Sequence, residues 1–126
     1  MFEIVTMTDK EIFIEAFKKR TMKLAVDVIK FFKGLPNTEE GRITGKQLIR
    51  SASSVAANYR AACRGRSKAE FYAKLSITIE ECDETLFWLE LIEAAQICSQ
   101  PNIEILKSET TEILMVLSRA RKTASQ

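Results

Sequence analysis

The chain has 126 residues, 46% of them hydrophobic and 29% charged, with a formal net charge of +2. This is the length of one domain that can bury its own core without disulfide or metal staples, and its balance excludes a disordered or collagen-like polymer. Glycine (4) and proline (2) are too scarce for a turn-rich β-sandwich or barrel, and the absence of histidine removes Ser-His triads, Cys-His dyads and His-ligated metals together.

Residues 1–7 carry no helical signal and are expected to form a flexible tail ahead of a single domain over 8–126. Thr8 with Glu11 is a capping box, in which the hydroxyl takes an exposed amide and the carboxylate reaches back, so a first helix starts there. Phe17, Thr21, Leu24, Val28 and Phe31 recur at intervals of three and four, and Gly34 and Pro36 end the run. Asn37 to Gly45 reads as a loop with at most one helical turn. Thr44 with Gln47 then repeats the capping device and opens a second helix towards Gly65. Its interior is built of small residues, Ser51, Ala52, Ser53, Ser54, Ala56, Ala57, Ala61 and Ala62, which let neighbouring backbones come close. Ser67 with Glu70 caps a third helix about one residue later, which forces an antiparallel hairpin.

The third helix places Phe71, Leu75, Thr78, Cys82, Leu86, Leu89 and Ile92 on one stripe and is expected to reach Ile97 or Cys98. Ser99 and Pro101 interrupt, and a fourth helix carries Ile103, Leu106, Thr110, Ile113, Leu117 and Ala120, with Arg119, Arg121 and Lys122 complementing its carbonyl end. Four amphipathic helices with short connections define an all-α, up-down-up-down antiparallel four-helix bundle. The longest uncharged stretches fall far below the roughly 18 apolar residues of a membrane span, and no basic-then-apolar leader opens the chain, so a cytoplasmic protein with no membrane partner is expected. Cys63, Cys82 and Cys98 lack C-x-x-C spacing and read as small buried hydrophobes.

The small net charge hides an uneven distribution. From Gly41 to Lys68 every charge is basic: Arg42, Lys46, Arg50, Arg60, Arg64, Arg66 and Lys68. From Glu70 to Glu93 the acids Glu70, Glu80, Glu81, Asp83, Glu84, Glu90 and Glu93 face the single base Lys74. Neighbouring helices could neutralise one another, or two surfaces could meet different partners. Counting back from the hairpin turn places Arg50 opposite about residue 81, which predicts an ion pair with Glu81 or Glu84. Arg60 and Arg64 have fewer acids opposite them and are the better anion-binding candidates. Asn58, an amide in a small and apolar helix, is expected to make a structural hydrogen bond to the third helix. The acids Glu80, Glu81, Asp83 and Glu84 make a poor metal site without histidine, and neither metal nor cofactor is expected. Phe87 and Trp88 lie about 100° or more off the buried stripe. With Phe31 and Phe32 they are candidate subunit-interface residues.

The run Gln47-Leu-Ile-Arg-Ser-Ala-Ser-Ser-Val-Ala-Ala-Asn58-Tyr-Arg, then Arg64-Gly-Arg-Ser67-Lys-Ala-Glu70-Phe71 and Lys74-Leu75-Ser-Ile, resembles a known family of four-helix bundles. That family is named after proteins encoded in intervening sequences of bacterial 23S ribosomal RNA, and it includes the accessory variability protein of diversity-generating retroelements. The resemblance implies a left-handed bundle that assembles into a barrel-shaped homopentamer and associates with nucleic acid or a ribonucleoprotein. Arg50, Ser51, Ser54, Asn58, Arg66, Ser67, Glu70 and Phe71 occupy the motif positions, most as fold determinants. Where the family commonly continues Ile-Ala-Glu-Gly after the Asn, this chain has Tyr59-Arg60-Ala61-Ala62, losing an acid and gaining a base. Two functions follow as expectations. One is a non-enzymatic oligomeric module that sets Arg60, Arg64, Arg66, Arg119, Arg121 and Lys122 against RNA or DNA phosphates; the other is a structural adaptor for a protein partner. No nucleophile-base pair, Gly-rich phosphate loop, helix-turn-helix, zinc-finger or RNA-recognition signature stands in the sequence.

Overall fold

The computed structural model describes residues 6–125. Residues 1–5 of the expected tail lie outside the described residues, while Thr6 and Met7 precede the first helix without helical structure. Four helices follow: α1 (Asp9–Lys33), α2 (Glu39–Cys63), α3 (Lys68–Ala94) and α4 (Asn102–Ala124). Helices adjacent in sequence pack side by side, α1 closes the ring against α4 over a smaller contact, and the backbones of the diagonal pairs stay more than 8 Å apart.

The caps explain most boundaries. Thr8 Oγ1 accepts from the Glu11 amide at 3.1 Å, and Ser67 Oγ accepts from the Glu70 amide at 3.1 Å. Glu70 in turn reaches back to accept from the Arg66 amide at 2.7 Å, one residue ahead of the cap. The second helix, however, begins six residues before the expected Thr44. Thr38 is its cap, accepting from the Gly41 amide at 3.1 Å, and Glu39 and Glu40 sit at its positive end. Thr44 lies inside the helix and donates its hydroxyl to the Glu40 carbonyl at 2.7 Å. The two glycines of the stretch read as a loop serve close packing inside the helix. A Cβ on Gly45 would collide with the Phe32 ring of α1, and one on Gly41 with the Pro36 carbonyl. α3 also stops earlier than expected, because Gln96 adopts φ 56° and the Ile97 amide closes back on the Ile92 carbonyl at 3.1 Å.

The α1 stripe is buried as predicted, with Leu24, Val28 and Phe31 at 2% exposure or less. Leu48, Ala52, Val55, Leu75, Cys82, Leu89, Ile113 and Leu117 complete the centre. On α3, Thr85 rather than Leu86 takes the innermost position: its hydroxyl donates to Ser51 Oγ of α2 at 3.0 Å, and Ser51 donates to the Leu48 carbonyl at 3.1 Å. Small side chains on α2 make room for this polar contact, and each buried hydroxyl has a partner. Thr78 and Thr110 donate to carbonyls one turn back, so burial leaves neither unsatisfied.

Candidate nucleic-acid interface

The bundle sorts its bases into those that hold helices together and those that do not. Arg50 reaches from α2 to α3, with Nη1 3.3 Å from Glu81 and Nη2 on Glu84, as the hairpin register predicted. The Glu84 bond chiefly raises the Arg50 pKa, while burial chiefly raises that of Glu81. Arg20 of α1 clamps Glu109 of α4 with two bonds at 2.9 and 2.7 Å and reaches Glu112 at 2.9 Å. Lys107 ties Glu93 across the α3–α4 seam at 2.7 Å.

Among the described residues, no acid pairs with the side chains of Arg60, Arg64, Arg66, Arg119, Arg121 or Lys122. They do not form one patch. Arg64 and Arg66 lie on the turn between α2 and α3. Arg119, Arg121 and Lys122 lie in the last turns of α4, at the same end of the bundle. Arg60 instead faces α1 across a groove of about 520 Å³ that is also lined by Lys18, Lys19, Met22, Lys23, Val26, Asp27, Lys30 and Ala56. The α1 lysines escaped the linear charge count because Asp9, Glu11 and Glu15 offset them in sum while lying nearer the helix start.

The basic end also holds a cleft of about 600 Å³ whose lining includes Lys10, Phe13, Tyr59, Cys63 and Phe71. Burial pushes the Cys63 thiol up, and it pushes the Tyr59 hydroxyl far above its ordinary range, so both are neutral at physiological pH.

Two sequence expectations, on Asn58 and on Phe31, need correction. Asn58 donates Nδ2 to the Ser54 carbonyl at 2.9 Å within α2 and makes no bond to α3. Being half-buried, it meets its need one turn back. Phe31 is 2% exposed and belongs to this chain's own core, which removes it from a subunit interface. Phe32 is half-buried, its ring lying so near Gly45 of α2 that a Cβ there would collide with it. Phe87, 53% exposed, meets the Trp88 ring edge-on at 5.1 Å. Trp88 packs on the core with its buried Nε1 lacking an acceptor among the described residues. Within the same residues no group of three or more Cys, Asp or Glu side chains converges to hold a metal ion, and no helix is long and apolar enough to cross a membrane.

Fold and surface together define a four-helix bundle that commits some of its bases to interhelical clamps and gathers others on one groove and one end. Residues 16–119 match the family model described as 23S rRNA-intervening sequence protein, and the chain belongs to that family. A similar crystal structure is that of a protein with unknown function from the S23 ribosomal protein family of Bacteroides thetaiotaomicron VPI-5482. The two chains are 31% identical over 86% of this chain and 97% of that one, with a TM-score of 0.79. No curated protein matches.

Proposed function

We propose that this chain is a non-enzymatic, cytoplasmic, self-associating bundle, a homopentameric barrel, that binds RNA or DNA phosphates, bare or within a ribonucleoprotein. The observation that carries this reading is the division among the bases. Arg20, Arg50 and Lys107 are engaged by acids across helix seams, whereas Arg60, Arg64, Arg66, Arg119, Arg121 and Lys122 have no acid partner among the described residues. Unpaired cations on rigid helices gain most from a polyanion, which releases its condensed counterions on binding. A ring of copies would repeat the patch and turn weak single contacts into avidity. The resemblance to a family that includes the retroelement protein points the same way. Phe87 and Trp88 are the residues assigned to the subunit contact, since one is exposed and the other holds a buried donor without an acceptor.

A protein partner is the second reading. It is favoured by large apolar side chains left on the surface, Ile12, Phe13, Ile105 and Met115 among them. Fluorescence anisotropy with a structured RNA and a DNA duplex at several salt concentrations, on material whose mass is fixed by light scattering, separates the two. The nucleic-acid reading expects log affinity to fall linearly with log salt, at about 0.9 per duplex phosphate neutralised. It also expects Arg60→Glu with Arg64→Glu to weaken binding about tenfold, roughly 1.4 kcal/mol, at unchanged helicity. No binding at low salt would leave the adaptor reading, and a monomeric mass would overturn the barrel.

A further inference from the structure

We propose that the groove between α1 and α2 is a track for single-stranded nucleic acid, an assignment that rests on the nucleic-acid reading above and narrows it to one surface and one strand form. The groove carries cations on both banks, Lys19 and Lys30 from α1 and Arg60 from α2, none with an acid partner among the described residues. Its one acid, Asp27, is already held by Lys23 at 2.5 Å. Lys19 and Lys30 stand 11 residues apart in one helix, about 16 Å along its axis, so a ligand that touches both is an extended polyanion and not a lone phosphate.

The floor selects the strand form. Between the cations lie Met22 and Val26, 51% and 40% exposed, with Ala56 across from them. A duplex offers a groove of this kind only phosphate and sugar, which leaves the aliphatic floor wet. A single strand can keep its phosphates on the lysines and turn unstacked base faces onto Met22 and Val26. Because no aromatic ring lines the groove, these base contacts are dispersion contacts without stacking, and binding tolerates any sequence. The opposite flank of α1 offers the same ligand no comparable row of unpaired cations, since the groove there is lined by Glu104, Glu109 and Glu112, which already engage Arg20 and Lys107. The strand is therefore confined to one side of the helix.

The test uses fluorescein-labelled oligouridylate and oligothymidylate of about 12 nucleotides and a blunt duplex of equal length, on the full chain, by anisotropy over a salt series. Lys19→Glu with Lys30→Glu is expected to weaken both single strands at least about tenfold and to flatten the salt slope by about 1.4, or about 0.7 for each lost phosphate contact. Arg64→Glu with Arg66→Glu should leave single-strand binding within about twofold. Met22→Ala with Val26→Ala should weaken the single strands several-fold at an unchanged slope, since it removes base contacts and no charge. Circular dichroism checks each fold, and Lys19→Gln with Lys30→Gln serves as a milder version of the reversal. Equal binding of the two oligomers assigns the track to both RNA and DNA, whereas binding of oligouridylate alone assigns it to RNA. Tighter binding of the duplex, or indifference to the Met22 and Val26 truncations, overturns the single-strand assignment. Loss of binding in the Arg64/Arg66 variant but not in the Lys19/Lys30 variant removes the track while the broader reading stands. No binding of any probe at low salt removes both.

Discussion

The groove that α1 shares with α2 and the groove it shares with α4 flank the same helix and carry opposite charge. The first is lined by Lys18, Lys19, Lys23, Lys30 and Arg60 against one acid, the second by Asp27, Glu104, Glu109 and Glu112 against one base. The Lys23–Asp27 pair belongs to both grooves and marks the divide between them. A helix can thus look balanced along its sequence and still separate charge around its circumference. The field a partner meets is set by angle, and a residue sum along the chain cannot report it.

The largest way to break this comparison is to remove what both flanks rest on. Leu24 is buried beneath α1 at 1% exposure, and Leu24→Ala should cost about 3 kcal/mol in urea unfolding and weaken both flanks together. Gly45→Ala acts on one flank only, because the new methyl group meets the Phe32 ring; we expect a loss of about 2 kcal/mol. Hydrogen exchange should then rise in α1 and α2 before α4.

Alkaline pH asks whether the fold answers from beneath the grooves. Burial pushes the Cys82 thiol up to about 12, so the unfolded chain deprotonates first. Cys82 thus contributes its full stability below the unfolded thiol pKa and loses it as pH rises from there through about 12. Stability should fall by about 1 kcal/mol near pH 10, and Cys82→Ala should flatten that slope whatever it does to the stability itself. Arg20→Met gives the smallest effect, about 1 kcal/mol or less, because the clamp to Glu109 and Glu112 is partly exposed. Its signature is salt: the variant should regain stability as screening relieves the acids left facing one another on α4.

The fold was largely legible in the sequence because its signals are local. Thr8 and Ser67 cap where their spacing says they do, and Arg50 meets Glu81 and Glu84 because a short turn fixes the register of α2 on α3. The start of α2 was misread because Gly41 and Gly45 look like breakers to a local reading, and their purpose, closeness to Pro36 and Phe32, lies elsewhere in the chain. The Arg20 clamp went unseen for a similar reason: no turn joins α1 to α4, so nothing in the sequence sets their register. The site was legible only in part. The unpaired bases of α2 and α4 stood out, but Arg60 parts company with Arg64, and the lysines that join it needed the fold to bring them across.

The buried contact between Thr85 and Ser51 has a mechanical consequence. Where α2 is surfaced with alanine and serine it is nearly smooth, and such stretches set the axial position of a neighbour less firmly than Leu48 and Val55 do. One hydroxyl facing another opposes axial slip, because sliding by a turn would break the Thr85–Ser51 bond and leave each hydroxyl only a carbonyl of its own helix, Glu81 for Thr85 and Leu48 for Ser51. The pair works as a detent that favours one axial setting of α2 on α3, and the Arg50 clamp on the outer side is aligned by the same setting.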